Sequence, residues 1–102
     1  MFYVYVLISL KDRKLYIGQT NDLNRRFIEH CNGEVTSTCY RRPLKLIFAE
    51  MFLTRFEAER REEWLKSDAG RIELKKLLEP TLKKFGYQHL NSTKDEQRAD
   101  GN

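Results

Sequence analysis

Five side chains have the chemistry to act together on a phosphate ester: Tyr5, Tyr16, Arg26, His30 and Glu62. A phenol or an imidazole can take a proton from water, and a guanidinium can neutralise the charge of a phosphate. A carboxylate can hold a hard cation such as Mg²⁺. These residue types therefore suit phosphodiester hydrolysis, provided that the fold brings them to one surface.

A predicted hairpin positions the tyrosines. Residues 2–8 and 15–19 are rich in β-branched and aromatic side chains, and the polar segment between them suits a turn. If Leu7 pairs with Tyr16, then Tyr5, Tyr16 and Gly18 share one face of the hairpin. A register shifted by one residue would separate the two phenols. Cross-strand aromatic packing alone would also explain the pair.

A helix capped by a residue at 21–22 is predicted to follow, and its apolar stripe consists of Leu23, Phe27 and Cys31. Arg26 and His30 lie four residues apart and flank that stripe, whereas Arg25 and Glu29 are predicted to point into solvent. Arg26 is therefore aimed at the sheet. There it could neutralise a phosphate, or it could extend along the core edge and pair with a carboxylate.

The remaining elements are predicted from apolar runs and helix breakers. Residues 44–52 are apolar on both faces, which is typical of a central, covered strand. Helices are predicted over 55–67 and 71–79, with Gly70 breaking or bending the chain between them and Pro80 ending the second.

In the helix over 55–67, Thr54 is the predicted cap and Glu62 is the glutamate closest to the inward face. Lys66 follows Glu62 by one helical turn. A single inward carboxylate either forms an ion pair or holds a hard cation through oxygen and several waters.

The composition excludes two classes of protein. The chain has 102 residues, of which 40% are apolar and 33% are charged, with a net charge of +4. With these proportions the chain is too apolar to be disordered and too charged to be a membrane protein. No apolar run reaches the roughly 20 residues that span a bilayer. We expect one domain over 1–82, a partly disordered C-terminal extension over 83–102, and a cytoplasmic location.

The motifs resemble those of the GIY-YIG nuclease superfamily. Tyr3-Val4-Tyr5 stands where the family has G-I-Y, and Tyr16-Ile17-Gly18 is an intact second half-motif, with the usual ten residues between Tyr5 and Tyr16. The segment YIGQTNDLNRRFIEH supplies the family arginine and histidine at Arg26 and His30. The pattern A-x-x-x-E-x-x-x-K follows at Ala58, Glu62 and Lys66. The resemblance covers residues 2 to about 78 and is closest to the short, stand-alone bacterial branch.

The resemblance implies a mixed α/β (α+β) domain with a three-stranded antiparallel sheet flanked by helices, in the order β-β-α-β-α-α. It also implies metal-dependent hydrolysis of DNA, with Mg²⁺ or Mn²⁺ on Glu62 and Arg26 on the scissile phosphate. Tyr5 or Tyr16 would activate or position water while the other phenol holds it, and His30 would complete the catalytic group. We expect the residues that contact the substrate to be Tyr3, Gly18, Thr20 and Lys66.

The sequence shows no appended DNA-reading motif outside this core. We therefore expect little sequence specificity, possible selection of branched or damaged DNA in repair or recombination, and a partner protein that could supply target choice. Two alternatives remain open, which are a catalytically weak nucleic-acid-binding module and a ribonuclease on the same fold.

Overall fold

The computed structural model describes residues 1–87 and shows a three-stranded sheet with helices on both faces. Its elements are β1 (Phe2–Ser9), β2 (Leu15–Thr20), α1 (Leu23–Cys31), a short 3₁₀ helix (Cys39–Arg41), β3 (Leu44–Phe52), α2 (Arg55–Lys66), α3 (Asp68–Leu77) and α4 (Glu79–Lys84). The predicted mixed fold with a three-stranded antiparallel sheet is confirmed.

The central strand is β1, because it pairs with β2 on one side and with β3 on the other. The prediction that residues 44–52 form the central strand is wrong. β3 lies at an edge and is largely half-exposed or exposed, whereas β1 is buried from Val4 to Ser9. Both strands have apolar runs, so hydropathy alone does not distinguish the paired centre from the edge.

The two faces of β1 bury different kinds of residue, since successive side chains of a strand point to opposite faces. One face, which β1 shares with β2, packs beneath α2, α3 and α4 and buries Val4, Val6 and Ile8 of β1 with Leu15 and Ile17 of β2. The other, here called the tyrosine face, packs against α1 and carries Tyr5 and Leu7 of β1 with Tyr16 of β2. The alternation of the first strand therefore separates an aliphatic core from the phenols.

Polar caps set the ends of the long helices. The carboxylate of Asp22 accepts a hydrogen bond from the Arg25 N–H at 3.0 Å, and the Thr54 hydroxyl accepts one from the Glu57 N–H at 3.3 Å. Both caps were predicted.

The break between α2 and α3 lies at Ser67, and the predicted break at Gly70 is wrong. The Ser67 hydroxyl accepts a hydrogen bond from the Gly70 N–H at 3.1 Å and so begins α3. Gly70 lies inside that helix, where a Cβ would overlap the Trp64 carbonyl. The glycine thus allows close packing and does not end a helix.

Pro80 does not end the helical region as predicted, because it lies in the first turn of a fourth helix, α4. A proline is tolerated there, since the first N–H groups of a helix have no partner within the helix. α4 adds Leu82 to the aliphatic core, and Tyr87 is buried in the same core. The predicted boundary at residue 82 stays a prediction, and residues 88–102 lie outside the described residues.

Within residues 1–87, none of the helices combines the length and apolar character that crossing a bilayer requires.

Leu74 and Leu77 lie three residues apart on α3 but differ in burial. Leu74 is 1% exposed within the aliphatic core, whereas Leu77 is 57% exposed. We expect Leu74→Ala to lower the free energy of unfolding by about 2–5 kcal/mol, because it leaves a core cavity. Leu77→Ala should change it by no more than about 0.5 kcal/mol. Chemical denaturation of both variants checks this, and equal losses would contradict the packing described.

Candidate active site

Of the two hairpin registers that the sequence leaves open, the structure has the one that brings the two phenols together. Leu7 pairs with Tyr16 and Tyr5 pairs with Gly18. Tyr5, Tyr16 and Gly18 therefore share the tyrosine face. The ring centroids of Tyr5 and Tyr16 are 6.3 Å apart with the planes tilted by 41°. This distance is typical of aromatic pairs that contact each other.

Gly18 is required because the Tyr5 phenol lies directly over its backbone. A Cβ at position 18 would lie 2.7 Å from the Tyr5 hydroxyl oxygen and 3.0 Å from a ring carbon of Tyr16. Gly18 therefore leaves room for the phenols. Its contact with the substrate stays a prediction.

His30 connects α1 to both the hairpin and the following loop. Its Nε2 lies 2.8 Å from the Tyr5 hydroxyl oxygen, and its Nδ1 lies 2.8 Å from the Thr38 hydroxyl oxygen. The side chain is fully buried, with the Tyr16 ring centroid 5.1 Å from its own. A neutral imidazole satisfies both contacts, donating from one nitrogen and accepting at the other.

Burial sets the protonation states of this pair. Burial and, to a smaller extent, the positive charge of Arg26 lower the pKa of His30 to about 4. Burial also raises the pKa of the Tyr5 phenol well above its ordinary value, with the nearby Tyr16 adding to the effect and Arg26 opposing it. At neutral pH the pair therefore consists of a neutral imidazole and a protonated phenol.

Arg26 is half-buried, and Glu29 holds it in place. Its Nη1 lies 3.0 Å from one oxygen of Glu29, while Arg25 contacts the other oxygen at 3.0 Å. The prediction that Glu29 points away into solvent is therefore wrong, because its carboxylate bridges both arginines. The inward face of α1 is also rotated from the predicted stripe, so that His30 is buried and Cys31 is exposed.

An open cleft of about 630 Å³ contains Tyr16 and Arg26, and the loop after α1 forms its other wall. The loop residues that line it are Glu34, Val35, Thr36 and Ser37. Neither this wall nor the role of Thr38 was predicted, because an irregular loop has no periodicity from which a buried or inward side chain can be identified. The hydroxyl residues between the first helix and the third strand were the only signal.

Glu62 lies on α2 with its side chain 19% exposed, and Lys66 contacts its carboxylate at 3.0 Å. Its negative charge makes a small contribution to the raised pKa of the Tyr5 phenol, but Glu62 is not among the residues that line the cleft with Tyr16 and Arg26. No group of three or more His, Cys, Asp or Glu side chains in residues 1–87 could hold a metal ion. A lone carboxylate fits Mg²⁺ or Mn²⁺, which keeps most of its waters, better than a caged metal such as zinc.

None of the four predicted substrate contacts lines the cleft that holds Tyr16 and Arg26. Tyr3 lines a separate groove of about 450 Å³ with Phe27 and Leu46. The Thr20 hydroxyl accepts a hydrogen bond from the Asp22 N–H at 3.1 Å, so it helps to form the turn that starts α1. Tyr3 and Thr20 are thus not among the residues that line the cleft with Tyr16 and Arg26.

The depressed pKa of His30 predicts a pH dependence of stability. Between its unfolded pKa near 6.5 and its folded pKa of about 4, the unfolded chain binds a proton that the folded chain excludes. Stability should therefore fall as the pH falls through this window, by up to about 3 kcal/mol. Denaturant unfolding at a series of pH values measures the loss.

The matched comparison is His30→Gln, which keeps a side chain able to form hydrogen bonds and removes the titrating group. Its stability should be nearly independent of pH between about 6.5 and 5, where carboxylates titrate little. The same slope in both proteins would show that His30 is not the source.

Comparisons with known proteins agree with this geometry. The family model described as the GIY-YIG catalytic domain matches residues 1–76. A UPF0213 protein of Staphylococcus saprophyticus is 38% identical over 78 residues, which are 76% of this chain and 94% of the relative. A UPF0213 protein of Clostridium perfringens is 36% identical over 89 residues, which are 86% of this chain and 95% of the relative. No solved structure matches the chain.

The matched region contains both tyrosine half-motifs together with Arg26, His30 and Glu62. The resemblance inferred from those motifs is thereby confirmed. Members of this nuclease family generally use divalent metal ions. The chain belongs to the GIY-YIG family, and its relatives include small bacterial UPF0213 proteins.

Proposed function

We propose that the chain is a metal-dependent DNA endonuclease that hydrolyses phosphodiester bonds. The observation that supports this most directly is the open cleft that Tyr16 shares with Arg26. Behind it, the hydrogen bond between Tyr5 and His30 fixes the wall on which Tyr16 packs. A phenol and a guanidinium side by side in an accessible cleft are suited to handle water and phosphate together.

Arg26 is the proposed contact to the scissile phosphate. It keeps its positive charge at every relevant pH, and Glu29 holds its guanidinium in one orientation. An oriented cation at the edge of a buried cluster stabilises the negative charge that develops on a phosphate during hydrolysis. Because Glu29 also contacts Arg25, substrate binding would have to draw Arg26 partly away from that shared carboxylate.

The structure gives the two tyrosines different surroundings. Tyr16 is half-buried and lines the cleft, so we propose that its hydroxyl contacts the attacking water or the substrate. Tyr5 is 1% exposed and hydrogen-bonded to His30, and its raised pKa disfavours loss of its proton. We therefore assign Tyr5 and His30 to positioning Tyr16.

Glu62 is the proposed ligand for Mg²⁺ or Mn²⁺. When bound, such a cation would neutralise charge on the phosphate. Lys66 already contacts the Glu62 carboxylate at 3.0 Å, so a bound metal would replace an existing cationic partner. Lys66 would then compete with the metal in the absence of substrate and could contact a phosphate once displaced.

The chain's net charge of +4 favours a polyanionic substrate without specifying its sequence. We propose little intrinsic sequence specificity, with selection by DNA shape at branched or damaged sites as the refinement. A role in DNA repair or recombination in the cytoplasm, with target choice from a partner protein, would follow.

Removing single phenol oxygens tests the tyrosine roles. We expect Tyr16→Phe to lower the cleavage rate on the order of 10²-fold or more, because a positioned polar group is lost at the reacting atoms. Its stability should change little, since the ring is kept. Tyr5→Phe, in contrast, should lower the free energy of unfolding by about 1–3 kcal/mol, because it leaves the buried His30 Nε2 without its partner.

Cleavage assays with saturating Mg²⁺ and denaturant unfolding of both variants supply the two readouts. Full activity in Tyr16→Phe would refute its placement at the reacting atoms. An unchanged stability in Tyr5→Phe would refute the buried hydrogen bond.

Replacing one glutamate tests the metal and with it the proposed function. Glu62→Gln should lower the rate of metal-dependent cleavage on the order of 10²-fold or more, because it removes a ligand of the cation that neutralises the phosphate charge. Glu63→Gln is the matched control, because Glu63 is the next residue of α2 but is exposed to solvent. Matched DNA and RNA substrates, each with and without Mg²⁺, provide the assay.

Each outcome decides among the functions considered. Cleavage of DNA that depends on Mg²⁺ and on Glu62 supports the endonuclease. Preferential cleavage of RNA would favour the ribonuclease, and binding without cleavage of either substrate would favour the binding module. Equal losses in both glutamate variants would overturn the metal assignment.

A further inference from the structure

A second cleft, of about 390 Å³, opens beside the candidate active site. It lies where β2 runs into α1 and where α2 begins, and it includes Gln19 and Asn21 as well as three arginines, Arg25, Arg26 and Arg55. Arg26 lines both clefts. A strand that places one phosphate at Arg26 can therefore continue into the second cleft.

Arg55 differs from the other two arginines in its partners. Arg25 and Arg26 share the Glu29 carboxylate, whereas Arg55 has no carboxylate within ion-pairing distance in the described part of the chain. Its guanidinium carbon lies 5.3 Å from the centroid of the Phe2 ring. The aromatic ring holds the cation in place without neutralising it.

The position of Arg55 on its helix also favours a binding role. It is the first residue of α2, where the positive end of the helix dipole disfavours a cation. Helix stability therefore does not account for an arginine there. A charge held beside two further arginines, in a cleft that also offers the amide side chains of Gln19 and Asn21, suits an anion with several oxygens.

We propose that this second cleft binds a backbone phosphate of the DNA strand, next to the phosphate at Arg26, and that Arg55 is its charged contact. The inference rests on the proposed function, since it takes the strand to be the nuclease substrate. It adds a binding residue outside the tyrosine, arginine and glutamate motifs. Arg55 would fix the direction in which the strand leaves the active site and would read no base.

The helix carries a matched control in Arg60. Its guanidinium carbon lies 5.6 Å from the centroid of the Phe56 ring, so it too is an arginine of α2 that stacks on an aromatic ring. Arg60 does not line the second cleft. Arg55→Ala and Arg60→Ala therefore remove the same charge and the same type of contact at different places.

The test measures the binding of a fluorescein-labelled DNA duplex by anisotropy in EDTA, over a series of salt concentrations. We expect Arg55→Ala to weaken binding and to reduce the slope of log K against log salt by about 0.9, the value for one lost phosphate contact. Arg60→Ala should leave the slope nearly unchanged, and Arg55→Lys should restore it. Thermal melting confirms that each variant is folded.

Equal effects of Arg55→Ala and Arg60→Ala on the affinity and on the salt slope would overturn the inference.

The two proposals fail in different ways. A chain that binds and cuts DNA with no change in Arg55→Ala would overturn the second cleft and leave the endonuclease intact. A chain that binds DNA through Arg55 without cutting it would support the second cleft and overturn the endonuclease. A chain that neither binds nor cuts DNA would overturn both.

Discussion

The buried hydrogen bond between Tyr5 and His30 is the interaction on which the candidate site depends. It joins the central strand to α1, and through the Thr38 hydroxyl it also fixes the loop that forms one wall of the cleft. Since both groups are buried, the neutral imidazole and the protonated phenol are the forms that the fold favours. Gly18 makes the arrangement possible, because any side chain there would displace the Tyr5 hydroxyl.

The central strand divides the structural and chemical roles of the fold. One face of β1 contributes aliphatic side chains to the core beneath α2, α3 and α4, and the other places Tyr5 beside Tyr16 of β2, against α1. Because β1 pairs on both sides, its backbone is held along its whole length. A site built on such a strand keeps its geometry better than one built on loops alone.

Charged side chains surround the candidate site, and most of the arginines there are paired with carboxylates. Arg26 lies between two clefts, with a half-buried phenol on one side and Arg55 on the other. Glu29 restrains Arg25 and Arg26, while Glu62 is paired with Lys66. The surface thus presents cations in fixed places without a large excess of charge, which fits binding along a phosphate backbone better than general attraction to polyanions.

The sequence by itself determined the two strands of the hairpin, the positions of the two helix caps and the residues of the family motifs, and the structure then selected one of the two hairpin registers that the sequence left open. These follow from local rules, because alternation, capping and spacing act over a few residues. Tertiary structure alone decided that β1 is the central strand, that His30 and not Cys31 is buried, and that Glu29 bridges two arginines. Each of these depends on which element packs against which, and apolar periodicity does not encode strand order or the exact rotation of a helix. The loop wall of the cleft and the place of Arg55 belong to the same class, since both arise where segments distant in sequence meet.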